Sequence, residues 1–146
     1  DWDMKKIFLL IVLSIFFLAG EAAAKRIAVS VDKANIRSGP GTNYGVIWSA
    51  GKYYPFNVIK QSGEWLNVRD FEDDEGWIFH KNVESLPAVI IKVPLANVRE
   101  GPGETGRLLF QAEKGVSLKR LSTKGKWLKV EHSDGEVGWI HESLVW

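Results

Sequence analysis

One octapeptide occurs twice, and the distance between its copies constrains everything else in the chain. Ala34-Asn35-Ile36-Arg37-Ser38-Gly39-Pro40-Gly41 returns 62 positions later as Ala96-Asn97-Val98-Arg99-Glu100-Gly101-Pro102-Gly103. The same shift carries Gly63, Trp65, Leu66 and Val68 onto Gly125, Trp127, Leu128 and Val130. It also carries Gly76-Trp77-Ile78 onto Gly138-Trp139-Ile140. Three blocks held in one register without a gap define a duplicated unit of about 60 residues, near the lower limit at which a chain buries enough apolar surface to fold alone. The expected units are residues 25–85 and 88–146, joined by a short linker that Pro87 stiffens.

Within each unit the pattern is that of strands. Ile27–Val31, Asn35–Arg37, Val46–Ser49, Phe56–Lys60, Trp65–Arg69 and Gly76–Phe79 are short runs separated by turn residues. In Trp65–Arg69 the period is two: Leu66 and Val68 share one face, and Trp65, Asn67 and Arg69 the other. No helical period persists beyond a turn. Short strands at this spacing predict an all-β fold of two small barrels, because closure removes exposed strand edges.

Residues 1–24 are expected to be a signal peptide, cleaved after Ala24. Lys5 and Lys6 precede an apolar run at Ile7–Leu18, and Ala22-Ala23-Ala24 supplies the small residues of a cleavage site. The run is shorter than the roughly 20 residues of a membrane span. Glu21 stands where a lipoprotein signal needs Cys, so no stable membrane anchor is expected after cleavage. Translation is expected to begin at Met4. The remaining 122 residues hold 17 basic and 15 acidic side chains. That balance lacks the basic excess of a nucleic-acid binder. Zero Cys excludes disulfides, thiol nucleophiles and Cys-ligated metals.

Taken together, Asn-(Ile/Val)-Arg-x-Gly-Pro-Gly, Gly-x-Trp-Leu-x-Val and Gly-Trp-Ile resemble the bacterial SH3-like (SH3b) domain, here in tandem. The resemblance spans nearly all of Asp32–Trp146 and implies two SH3-like barrels of an exported protein. It further implies binding of peptidoglycan or its peptide stems, in the periplasm or outside the cell, or else contacts with protein or peptide partners. It also implies that a Trp at the start of the fifth strand lines a groove between two long loops. The candidate groove residues are therefore Arg37, Tyr44, Tyr54 and Trp65 in the first copy, and Arg99 and Trp127 in the second.

Other readings remain open at these positions. Arg37 and Arg99 either tie the following loop down through its carbonyls or capture a ligand carboxylate with a planar fork. Trp65 and Trp127 either floor a groove or cover the barrel. Gly39-Pro40 and Gly101-Pro102 are expected to make tight turns in which flanking glycines take positive φ. Trp77 and Trp139 are expected in the barrel core. Tyr44, Trp48, Tyr53 and Tyr54 give the first copy an aromatic surface that Gly106, Phe110, Gly115 and Val116 do not reproduce.

Charge separates the copies as well. Asp70, Glu72, Asp73, Asp74 and Glu75 crowd one hairpin, whereas Lys114, Lys119, Arg120, Lys124, Lys126 and Lys129 mark the second copy. Both are expected to be solvated faces, the basic one with some capacity for an anionic polymer. No catalytic motif is present, and His80, His132 and His141 are scattered. No cofactor, no metal and no enzymatic activity are expected. A purely structural or dimerising spacer is the third alternative to the wall-binding and adaptor readings.

Overall fold

The computed structural model describes residues 24–146, so the signal-peptide reading falls, but for Ala24, outside the described residues. The first copy is a seven-stranded antiparallel sheet: β1 (Arg26–Val29), β2 (Lys33–Arg37), β3 (Val46–Gly51), β4 (Pro55–Ser62), β5 (Trp65–Arg69), β6 (Glu75–Phe79) and β7 (Val83–Glu84), in the order β3-β2-β6-β5-β4-β1-β7. The second is six-stranded: β8 (Ala88–Ile90), β9 (Leu95–Arg99), β10 (Leu108–Glu113), β11 (Ser117–Lys124), β12 (Trp127–Glu131) and β13 (Val137–His141), in the order β10-β9-β13-β12-β11-β8. A 3₁₀ turn follows the sixth strand of each copy, at His80–Asn82 and Glu142–Leu144. Among the described residues no helix is long and apolar enough to cross a membrane.

The duplication is most exact inside. The first core consists of Ile27, Val29, Ala34, Ile36, Ala50, Phe56, Val68 and Ile78. Their positions in the second copy hold Val89, Ile91, Ala96, Val98, Ala112, Leu118, Val130 and Ile140, all of which are buried in the second core. Burying each branched or aromatic member contributes about 1.5–3 kcal/mol. Gly76 and Gly138 keep the sixth strands close to this core. A Cβ at Gly76 would strike Ile36 and crowd the Arg37 carbonyl, and one at Gly138 would strike Val98 and crowd the Arg99 carbonyl.

That same alternation overturns the core assignment of Trp77 and Trp139. Gly76 and Ile78 face inward on β6, so Trp77 between them faces out and is half-buried; the pattern repeats in β13. Trp77 instead lies across from Asn67 and Arg37, with the Lys60 ammonium 5.7 Å from its ring centroid.

Two β-bulges per copy break the simple period. Ile47 is skipped in the β2–β3 pairing and Ile59 in β4–β5. Leu109 and Leu121 are skipped at the matching places of the second copy. An extra unpaired residue in one strand kinks it and turns its own side chain out of the alternation. These four apolar residues are accordingly exposed, Ile47 by 53% and Leu121 by 41%.

The barrels touch. The Arg26 guanidinium lies 4.0 Å from the Trp146 ring centroid and donates to the Ala88 carbonyl at 3.1 Å. Burial and the nearby Arg120 charge lower its pKa. Ala28, Tyr53 and Ala88 form a small apolar cluster with Leu86 of the linker. Ser117 Oγ donates to the Lys52 carbonyl at 3.0 Å, and Lys114 Nζ stands 3.3 Å from a Glu72 carboxylate oxygen. Among the described residues the acidic hairpin and the basic second copy therefore meet through one ion pair.

Candidate functional site

Two equivalent grooves run along the outer faces of the barrels, where the strands turn alternate side chains away from the core. In the first, Lys33, Asn35 and Arg37 come from β2, Trp65 from β5 and Phe79 from β6. Thr42 and Asn43 of the β2–β3 loop, with Glu64 and Asn82, complete it. Trp65 pairs across strands with Phe79, their ring centroids 5.6 Å apart. The second groove is lined by Leu95, Asn97, Arg99, Glu104, Trp127, His141, Ser143 and Leu144. Trp127 pairs with His141 edge-on, at 5.2 Å and 83°. The volumes, ≈ 550 and ≈ 520 Å³, lie in the range of small-ligand sites.

Both alternatives for the arginines meet in one geometry. Arg37 Nη1 donates to the carbonyls of Thr42 (3.2 Å) and Tyr44 (2.8 Å), and Arg99 Nη1 donates to Gly106 at 3.0 Å. The arginines thus tie down the β2–β3 and β9–β10 loops while lining the grooves. Neither has a carboxylate within 4.0 Å among the described residues. Asn35 Oδ1 accepts from Ser49, and Asn97 Oδ1 from Gln111, both at 2.9 Å, so each groove wall carries a fixed amide.

Tyr44 and Tyr54 do not join Trp65. Tyr44 sits on the loop with its ring against Gly39, outside the groove lining, and is 42% exposed. Tyr54 packs against Phe56 at 5.0 Å and donates its hydroxyl to Asp70 Oδ2 at 2.7 Å. Burial, then that bond, pushes its pKa up. It faces the cleft between the barrels, beside Ser117 and His132.

The Gly-Pro loops also differ from expectation. None of Gly39, Gly41, Gly101 and Gly103 has positive φ. Gly39 is required for space: a Cβ there would overlap the Tyr44 ring. In the second copy Gly106 replaces Tyr44, and the space around Gly101 is open.

Several lining residues escape the sequence reading. Phe79 and His141 share a register position two residues after the repeated Trp, on the same face, which strand period alone indicates. His80 does not occupy that position; its ring lies edge-on to Phe79. Asp70 is 4% exposed, and its Oδ1 accepts from the Glu72 and Asp74 backbone N–H groups at 3.0 and 2.9 Å, so it organises the acidic hairpin from within. His132 holds the matching position beside Asp134, whose pKa is lowered first by the Glu136 N–H and then by His132. Among the described residues no three His, Cys, Asp or Glu side chains cluster as a metal site.

The matching family models agree with this duplicated barrel. Two distinct family models, each for a bacterial SH3 domain, match residues 32–84 and 92–146. The "Putative N-acetylmuramoyl-L-alanine amidase YrvJ" of Bacillus subtilis is 24% identical over 97% of this chain and 30% of its own length. The "Probable cell wall amidase LytH" of Staphylococcus epidermidis is 39% identical over 31% of this chain and 16% of its own length. The chain thus spans under a third of either relative. The solved structure of NlpC1 from Trichomonas vaginalis aligns at a TM-score of 0.40 and 13% identity, covering 87% of this chain and 47% of the other. Two bacterial SH3 domains therefore stand in tandem along this chain, at residues 32–84 and 92–146.

Proposed function

We propose that this chain is an exported, non-enzymatic module that binds peptidoglycan through the peptide stems of the cell wall. The observation that carries the reading is the repeated groove: Trp65 and Trp127 as aromatic floors, each beside an arginine without an acidic partner. An aromatic face stacks on the apolar part of a peptide or sugar, and a guanidinium recognises a stem carboxylate bidentately. Two such grooves on touching barrels add avidity where the wall presents stems at a matching span. The relatives named as an N-acetylmuramoyl-L-alanine amidase and a cell wall amidase support the wall as the setting.

A pull-down with purified, protein-free sacculi tests the proposal. The chain is expected to co-sediment at moderate salt, and the Trp65→Ala/Trp127→Ala double variant to remain in the supernatant. Binding abolished by modest salt would instead assign retention to the lysines of the second copy.

A second reading is favoured by one observation. The edge strands β3 and β10 expose Val46, Ile47, Leu108 and Leu109 at matching positions. Such edges suit a protein or peptide partner. On that reading sacculi are not retained at either salt.

A further inference from the structure

The two grooves differ at the positions that meet a ligand's charged or polar atoms. The first contains Lys33 and Arg37 against Glu64, and neither cation has a carboxylate within 4.0 Å among the described residues. In the second, Leu95 stands at the Lys33 position and Glu104 at the Thr42 position, so the lining falls from two cations and one carboxylate to one of each, Arg99 and Glu104. Lys126, at the Glu64 position, does not line the second groove.

The partner of the floor tryptophan differs too. Phe79 offers Trp65 only an apolar ring. His141 is held differently, because its Nδ1 accepts from the Ser143 backbone N–H at 3.2 Å and lies 2.7 Å from the Ser143 hydroxyl. A backbone N–H can only donate, so Nδ1 is the acceptor and the neutral ring carries its proton on Nε2. That leaves Nε2–H as a donor on the groove wall beside Trp127.

From this we infer that the grooves are not duplicates: the first selects carboxylate-bearing segments, and the second selects uncharged amide segments through the His141 donor. The inference rests on the wall-binding reading and divides its ligand between the two sites. A stem peptide carries both chemistries, free carboxylates at its ends and amide carbonyls along its length. Lys33 and Arg37 meet the former with charge-assisted bonds, about twice as strong as neutral ones. In the second groove Glu104 offsets the charge of Arg99, its one cation, so a carboxylate gains less there than beside Lys33 and Arg37, while His141 and the fixed Asn97 amide serve the carbonyls.

Single-groove proteins test this by calorimetry. Trp127→Ala leaves the first groove and Trp65→Ala the second. The probes are an N-acetylmuramoyl tetrapeptide with free carboxylates and the same compound fully amidated. The Trp127→Ala protein is expected to lose about tenfold in affinity on amidation, and the Trp65→Ala protein to change by less than about twofold. Adding His141→Phe to the Trp65→Ala protein should weaken the amidated probe several-fold. The fold tolerates that ring, since Phe79 holds the same position in the first copy. Equal sensitivity of both single-groove proteins to amidation, or indifference to His141→Phe, would overturn the inference and leave wall binding intact. Failure of the unsubstituted chain to bind sacculi and both probes would overturn the wall-binding reading itself.

Discussion

The β5–β6 hairpin of the first barrel and its counterpart in the second close the same gap with different chemistry. In the first, buried Asp70 gathers two backbone N–H groups and the Tyr54 hydroxyl around one carboxylate. In the second, His132 and Val116 hold those positions; His132 Nδ1 accepts from the Asp134 N–H at 3.3 Å, and the Asp134 carboxylate at the exposed tip accepts from the Glu136 N–H at 2.9 Å. The turn itself differs as well. Asp73 adopts φ 63 where Gly135 has φ 95, and Tyr53 adopts φ 72 where Gly115 has φ 90. The left-handed region strains a side-chain-bearing residue and is free to glycine. The first barrel thus accepts backbone strain at two places where it gains a hairpin gathered around a buried carboxylate and a tyrosine packed against the second barrel, whereas the second barrel has glycine at both. Cores that match residue for residue coexist with loops that have separated, which is the pattern expected when packing fixes the fold and loops carry the differences.

Substitutions that treat equivalent positions alike sharpen this contrast. The largest effect is expected in the cores: Phe56→Ala should cost about 4 kcal/mol and Leu118→Ala about 3 kcal/mol in denaturant unfolding, similar because both positions are sealed. The hairpins should then diverge. Asp70→Ala orphans two N–H groups and a hydroxyl and should cost about 2–3 kcal/mol, whereas His132→Ala should cost less than about 1 kcal/mol. Trp77→Ala should cost clearly less than Phe56→Ala, because the ring lies on the outer face; equal losses would put Trp77 back in the core. Trp146→Ala, which keeps the backbone pairing with Ile90, should lower stability by about 1 kcal/mol through the lost Arg26 contact. It should also separate one calorimetric transition into two. At the small end, Asp73→Gly should stabilise the first barrel by about 0.5 kcal/mol, a gain that Gly135 has no room to repeat.

Much of this was legible in residue order, and what was not has identifiable physical causes. The repeat register pairs the core positions of the two copies, since constant spacing carries Ile36 onto Val98 and Val68 onto Val130, and strand period places Val68 and Val130 on one face with Leu66 and Leu128. The outward face of Trp65 and Trp127 followed from the same alternation. Applied consistently, it also turns Trp77 and Trp139 outward; their place between Gly and Ile before a terminal turn suggests the core, but Gly76 and Ile78 take the inward side. Bulges at Ile47 and Ile59 were not legible, because skipping one residue leaves no local composition signal. Tyr54 misled for a different reason: its partner Asp70 lies 16 residues away, and only the folded hairpin brings them together. His141 is not legible as a groove residue from histidine positions alone, because its register partner is Phe79 and no histidine repeats there.

The central claim, that Trp65 and Trp127 floor two ligand grooves, is tested most directly by following the indole N–H resonances of the tryptophans during titration with a soluble muropeptide. The account predicts that the Trp65 and Trp127 signals move progressively while those of Trp77, Trp139 and Trp146 hold still. Movement confined to Trp146 at the barrel junction, or no movement of Trp65 and Trp127 while the chain binds, would contradict it.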